Sequence, residues 1–235
     1  MQDDDPRREP LAAEGKRYIV REHISSFVLL AIALGAARTL GWRNAWVYAG
    51  LILLVKMSTA IVVTRVNPAV LNARGTRREM SSRERWFFAV FIPAGLAVPI
   101  VAGLDVGDVG WTHRSTPELA IGITLALLGA GFIIWALAAN AFFETTVRVQ
   151  GDRDHAVCTS GPYRFVRHPG YAGAIIGGAG VPMVLGSLWA FVPFAVTSVA
   201  LIVRTAYEDR MLRDELEGYE SFAARTRYRL LPFVW

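Results

Sequence analysis

The placement of arginine constrains this chain more than any other feature. Five long apolar stretches, residues 24–37, 45–64, 86–104, 117–143 and 170–203, are separated by polar segments. Twenty-one of the 25 lysines and arginines fall before the first stretch, between the second and third, between the fourth and fifth, and after the last. The alternate segments hold only Arg38, Arg43 and Arg114, and Lys56 stands inside the second stretch. Lipid offers no partners for backbone polar groups, so an apolar run of about 20 residues spans as a helix. Basic loops stay on the cytoplasmic side. The last stretch is too long for one crossing. Gly186-Ser187 divides it, with Pro182 and Pro193 to either side, into a helical hairpin of 170–185 and 188–205. Six crossings put every arginine-rich segment on one side. Five remain if the first stretch, short for a span, lies at the interface.

Composition agrees. The chain is 53% hydrophobic and 19% charged, with a mean hydropathy of +0.34. These values fit an all-α, polytopic integral membrane protein, not a soluble domain. Its basic residues sit in loops between apolar runs, so the net charge of +5 implies no nucleic-acid partner. A single cysteine excludes an internal disulfide and a cysteine-based zinc finger. Residues 1–22 have mixed charge and are expected to be disordered and cytoplasmic. Residues 23–137 are expected to form N-terminal transmembrane helices, and 138–235 a second unit. No small-residue cleavage site follows the first apolar run, which reads as an uncleaved helix. The expected location is the inner (plasma) membrane, with several crossings and both termini cytoplasmic.

Residues 155–171, HAVCTSGPYRFVRHPGY, are the least lipid-like long segment of the second half, and they run directly into an apolar helix. Gly161-Pro162 and His168-Pro169-Gly170 each impose a turn, and Pro169 suits a first helical position. Imidazoles, phenols and free N–H groups are thereby collected at the mouth of a helix, where a polar ligand can bind. The same composition suits a juxtamembrane loop whose arginines meet lipid phosphates. His155 and His168 are thirteen residues apart with no metal-binding spacing, so no metal site is expected. Cys158 reads as a small packed residue. Gly129-Ala-Gly131 follows no strand; with Gly173-xxx-Gly177 it reads as a close helix contact. His23 and His113 read as surface residues. Asn140 and Glu144 close the fourth helix, facing either the cavity or the interface. Arg204 and Glu208 share a face at about membrane depth, where charges turn toward polar cavities. Leu212, Leu216, Tyr219 and Phe222 form one stripe of an amphipathic helix, expected to pack on membrane or protein. The basic, aromatic tail from Arg227 to Trp235 suits an interfacial anchor.

Two separated motifs stand in order around the hairpin. The first comprises His155-x5-Gly161-Pro-Tyr163 and Arg167-His168-Pro169-x-Tyr171-x-Gly173. The second is Arg204-x3-Glu208-Asp209-x2-Leu212, followed by Tyr228-Arg-Leu-x-Pro232. Over about residues 138–235 the chain resembles the isoprenylcysteine carboxyl methyltransferase family, part of a wider group with the phospholipid methyltransferases. The resemblance implies S-adenosylmethionine as cofactor, held in a cytoplasmic pocket without a Rossmann fold. Its contacts would be Gln150, His155, Ala156, Val157, Cys158, Tyr163, His168, Pro169, Gly170, Tyr171 and Glu208. Glu208 would meet the cofactor's ammonium, and Arg204, the substrate-side arginine, would orient an anionic acceptor. Asn140 is a further substrate-side candidate. The implied partners are a lipophilic or lipidated acceptor and membrane lipids. Asp209 stands where the family often has a second glutamate.

The acceptor's identity is left open by the sequence, as is oligomeric state. Two other functions fit parts of the chain. A sterol-type reductase would set Arg225, Arg227 and Arg229 against the 2′-phosphate of NADPH. A scaffold or solute carrier would explain the proline-broken helices.

Overall fold

A computed structural model describes residues 6–109 and 116–235; Arg114 and His113 lie outside the described residues. All regular elements among the described residues are helical. In chain order they are α1 (Ala13–Ala37), α2 (Arg43–Val66), α3 (Pro68–Gly75), α4 (Ser82–Leu104), α5 (Thr116–Ala139), α6 (Pro169–Leu185), α7 (Phe191–Glu215) and α8 (Tyr219–Arg225). Five of them, α1, α2, α4, α5 and α7, are long and apolar enough to cross a membrane, while α6 is shorter at 17 residues. Large apolar side chains point outward on all five, among them Phe27, Leu54, Ile92, Leu128 and Val199. In water such a surface would aggregate, whereas in lipid it is the favourable one. The chain is a multi-pass membrane protein.

The expected hairpin is α6–α7. Gly186, at φ +73°, closes α6 in the left-handed region that glycine enters freely. Ser187 Oγ then donates to Asp105 Oδ2 at 2.6 Å, tying this turn to the end of α4. A buried cluster including Trp42, Tyr48, Ala102, Val184 and Leu185 fills the same end of the bundle. Between α5 and α6 the contact is backbone on backbone. A Cβ on Gly129 would overlap Gly173 and Gly177, and one on Gly180 would overlap Gly122. Gly131, expected to share this contact, faces open space instead.

The N-terminus departs from expectation. Residues 13–22, expected to be disordered, form the first turns of α1, and 25 residues replace the short run of 24–37. These polar turns are held by partners distant in sequence. Asn72 Oδ1 accepts from Ala12 N at 2.8 Å, Arg74 Nε donates to Tyr18 OH at 3.0 Å, and Lys56 Nζ pairs with Glu22 Oε2 at 2.7 Å. Local composition contains none of these bonds. At the opposite end of the chain, the expected single amphipathic helix is two. Helix α7 stops at Glu215, Gly218 turns the chain at φ +80°, and α8 begins at Tyr219.

Candidate active site

The arginine-rich end of the bundle is covered by two irregular segments, 140–168 and 226–235. Helix α5 ends at Ala139, so Asn140 and Glu144 are not helical as expected. Asn140 Oδ1 instead accepts from Phe142 N at 2.9 Å, and Nδ2 donates to Tyr163 OH at 3.1 Å. Gly161, at φ +58°, and Pro162 turn the chain into a short 3-10 segment that buries Tyr163. Arg167 N and His168 N donate to the carbonyls of Tyr228 and Arg229, each at 2.9 Å, and Pro169 opens α6.

These segments line a cavity with about 70 Å³ of interior room, which opens through its mouth into a space of about 700 Å³ in all. Of the residues singled out from sequence, Asn140, Glu144, His155, Val157, Cys158, Tyr163, Arg167, His168, Gly170, Tyr171 and Glu208 line it. Three others stand apart. The Gln150 side chain is buried on Phe142 O and Arg153, Ala156 is exposed on the outer surface, and Pro169 is packed beneath the wall. Asn140, expected on the acceptor side, shares the cavity with the candidate cofactor residues. The sequence also left out a large part of the lining. Leu212, Leu216, Tyr219 and Phe222, read as a packing stripe, line the cavity because the break at Gly218 folds them around it. Phe142, Phe143, Thr146, Val147, Arg148 and Met211 complete the wall, and no motif marked them.

The charges are ordered. Tyr171 OH donates to Glu208 Oε2 at 2.6 Å and accepts from Arg204 Nε at 2.9 Å. Glu208 thereby keeps lone pairs directed at the cavity, with His168 Nδ1 3.9 Å from its other oxygen. Buried Glu144 binds Arg148 through both oxygens at 3.1 Å, and Arg148 Nη1 also reaches Asp152 at 2.6 Å. That bond holds the Asp152 carboxyl down at about 2. Burial pushes the Tyr163 phenol well above its ordinary range, so it stays protonated.

Burial, with Arg148 and Arg153 nearby, also pushes His155 down to about 4. Its Nδ1 accepts from Gln150 N at 3.2 Å, which makes Nε2 the protonated nitrogen. A neutral histidine in the fold takes up fewer protons than the unfolded chain below pH 6.5 or so. Its share of stability is therefore present above that pH and is lost as pH falls toward 4. Denaturation at pH 7.5 and pH 5 is expected to show a smaller loss for His155→Gln than for wild type. Equal losses would contradict this.

A second space adjoins the first. Between α4 and α7 runs an apolar groove of about 1500 Å³ counting its opening, lined by Trp86, Phe87, Val90, Ala195, Val196, Val199, Ala200 and Val203, with Arg83, Glu84, Arg204 and Tyr207 at its polar end. Arg204, expected on the acceptor side, lies here. Val147 lines both spaces, and the Tyr171–Arg204 hydrogen bond crosses between them.

Residues 117–217 match the phospholipid methyltransferase family. Two proteins of Oryza sativa, from subspecies indica and japonica, are each named probable protein-S-isoprenylcysteine O-methyltransferase. Both are 29% identical to this chain over 124 residues, covering 48% of it and 61% of the relative. In this part the chain is similar to phospholipid and isoprenylcysteine methyltransferases. The chain spans about three fifths of those relatives' length, and the family match takes in α5 to α7, the helices around the cavity. That family match begins after α1 to α4, so Glu84 and the α4 wall of the groove lie outside it.

Proposed function

We propose that the chain is a membrane methyltransferase that uses S-adenosylmethionine and acts on a lipophilic acceptor. The observation that carries this reading is the adjacency of a polar, aromatic cavity and an apolar groove, joined at Val147 and Tyr171. When bound, S-adenosylmethionine supplies an electrophilic methyl group on a sulfonium. The cavity's side chains fit such a molecule. Glu208 offers a carboxylate for an ammonium. The first turn of α6 and the His168 ring offer donors for a carboxylate. Tyr163, Tyr171 and Phe142 offer ring faces for an adenine or a sulfonium. Gly170 keeps that wall thin, because a Cβ there would overlap the Phe143 ring.

Methyl transfer needs alignment more than proton transfer. Tyr171, fixed at once by Glu208 and Arg204, sets the boundary between the two spaces, and Arg204 can orient an acceptor oxygen from the groove. The groove's outward-facing valines would receive a prenyl or acyl chain from the bilayer. The arginine-rich end, and with it both termini, is assigned to the cytoplasm, where the soluble cofactor is available. A prenylated cysteine and a phospholipid are both acceptors of this kind. The reductase reading loses one of its three arginines, since Arg229 donates to Asp209 at 2.9 Å and lies over Trp235.

Calorimetry tests the proposal. Purified protein is expected to bind S-adenosylmethionine or S-adenosylhomocysteine, and Glu208→Gln to weaken S-adenosylmethionine binding at least tenfold, about 1.4 kcal/mol. A wild type that binds neither nucleoside in any of several detergents and lipids would end this reading.

A further inference from the structure

Glu84 sits on α4, remote in sequence from both motifs, yet its carboxylate lies where cavity and groove meet. It is 4% exposed. Oε1 accepts from Val147 N at 2.7 Å and stands 3.8 Å from Arg204 Nη2, while Oε2 accepts from Ser81 N at 3.2 Å. Arg204 is held on its other sides. Nη2 donates to Thr145 O at 2.6 Å, Nε donates to Tyr171 OH, and the guanidinium lies 4.3 Å from the Phe87 ring centre. A carboxylate from α4 and a guanidinium from α7 thus clamp residues 145–147, the strip separating the two spaces. Nη1 is left as the guanidinium nitrogen without a partner among the described residues.

We infer that Glu84 is a positioning and specificity residue for the acceptor. It fixes the orientation of Arg204 and the 145–147 wall, and it offsets the charge of Arg204. An anionic head entering the groove then meets one directed N–H in nearly neutral surroundings, not a free cation. This rests on the proposal that the groove receives the acceptor.

The consequence is a signature that simple destabilisation does not produce. Without the Glu84 charge, Arg204 binds an anion more tightly but holds it less well aligned. The full chain would be titrated with S-adenosylhomocysteine, with N-acetyl-S-farnesylcysteine as carboxylate probe, and with the methyl ester of that probe as its neutral counterpart. Glu84→Gln is expected to keep nucleoside affinity within about twofold and to shift the carboxylate-to-ester affinity ratio at least tenfold toward the carboxylate. In turnover of the carboxylate, KM and kcat should fall together. Glu84→Asp, which retains the charge, should lie between the two. Ser81→Ala removes the N-cap hydroxyl that accepts from Glu84 N, so it should lower thermal stability and leave the ratio alone. An unchanged ratio in Glu84→Gln, or an equal shift in Ser81→Ala, overturns the inference while the methyltransferase reading stands. A wild type that binds the nucleoside but neither probe overturns it together with the groove's assignment. A wild type that binds no nucleoside ends both.

Discussion

Asp209→Ala is expected to destabilise the protein by about 3–5 kcal/mol, the cost of stripping the partner from buried charge. Asp209 is fully buried, and three arginines converge on it. Arg167 Nε reaches Oδ1 at 2.6 Å, Arg229 Nε reaches Oδ2 at 2.9 Å, and Arg213 Nε reaches Oδ2 at 3.4 Å. Tyr219 OH also donates to Oδ1, at 3.0 Å. Truncation would leave the Arg167 guanidinium, 4% exposed, with backbone carbonyls alone. The tail segment that covers the His168 turn and α8 would lose their common anchor. Thermal denaturation in detergent, read beside proteolysis between residues 219 and 229, checks this. A melting temperature within two degrees or so of wild type would contradict it.

The second large effect is expected at Gly129. Valine there would drive its side chain into the backbone of Gly173 and Gly177 on α6, where no rotamer change makes room. Overpacking usually costs about 1–3 kcal/mol, and a backbone obstruction belongs at the upper end or beyond. The consequence reaches the site, because Asn140 directly follows α5 and Tyr171 lies in the first turn of α6. Moving these helices apart pulls Asn140 from Tyr163 and opens the cavity wall. Gly129→Val is therefore expected to lose both stability and S-adenosylhomocysteine binding. Gly131→Ala, two residues along and facing open space, is expected to be neutral or slightly stabilising. Similar behaviour of the two variants would refute this account of the α5–α6 contact.

Long-period signals in the chain were legible. The hairpin, the proline that opens α6 and the close glycine contact all follow from spacing and backbone chemistry. The meeting of the His168 turn with the Glu208 helix was implied only by the family resemblance, through its two motifs. Tertiary partners decided the rest. Residues 13–22 are helical through Asn72, Arg74 and Lys56, none of them local. Leu212 to Phe222 look like one stripe until Gly218 bends them around the cavity. The pair Glu208-Asp209 reads as two adjacent acids, but a helix turns about 100° per residue. One acid therefore faces the cavity and the other the arginines. Glu84 carried a local sign, since Ser81 and Glu84 form a capping box at the start of an apolar run. Its approach to Arg204 had none.

The capping carboxylate of α4 bears on how such chains diversify. The polar chamber is framed by the recognisable C-terminal helices, while one flank of the oily channel and the brace on its arginine come from a helix that precedes them. A fragment cut at residue 138 would keep the side chains that line the polar cavity but lose α5, on which α6 packs, and would forfeit Glu84 and Arg74, the struts under Val147 and Phe143. On the proposed assignment of the groove to the acceptor, exchanging the front helices between relatives is expected to transplant acceptor selectivity.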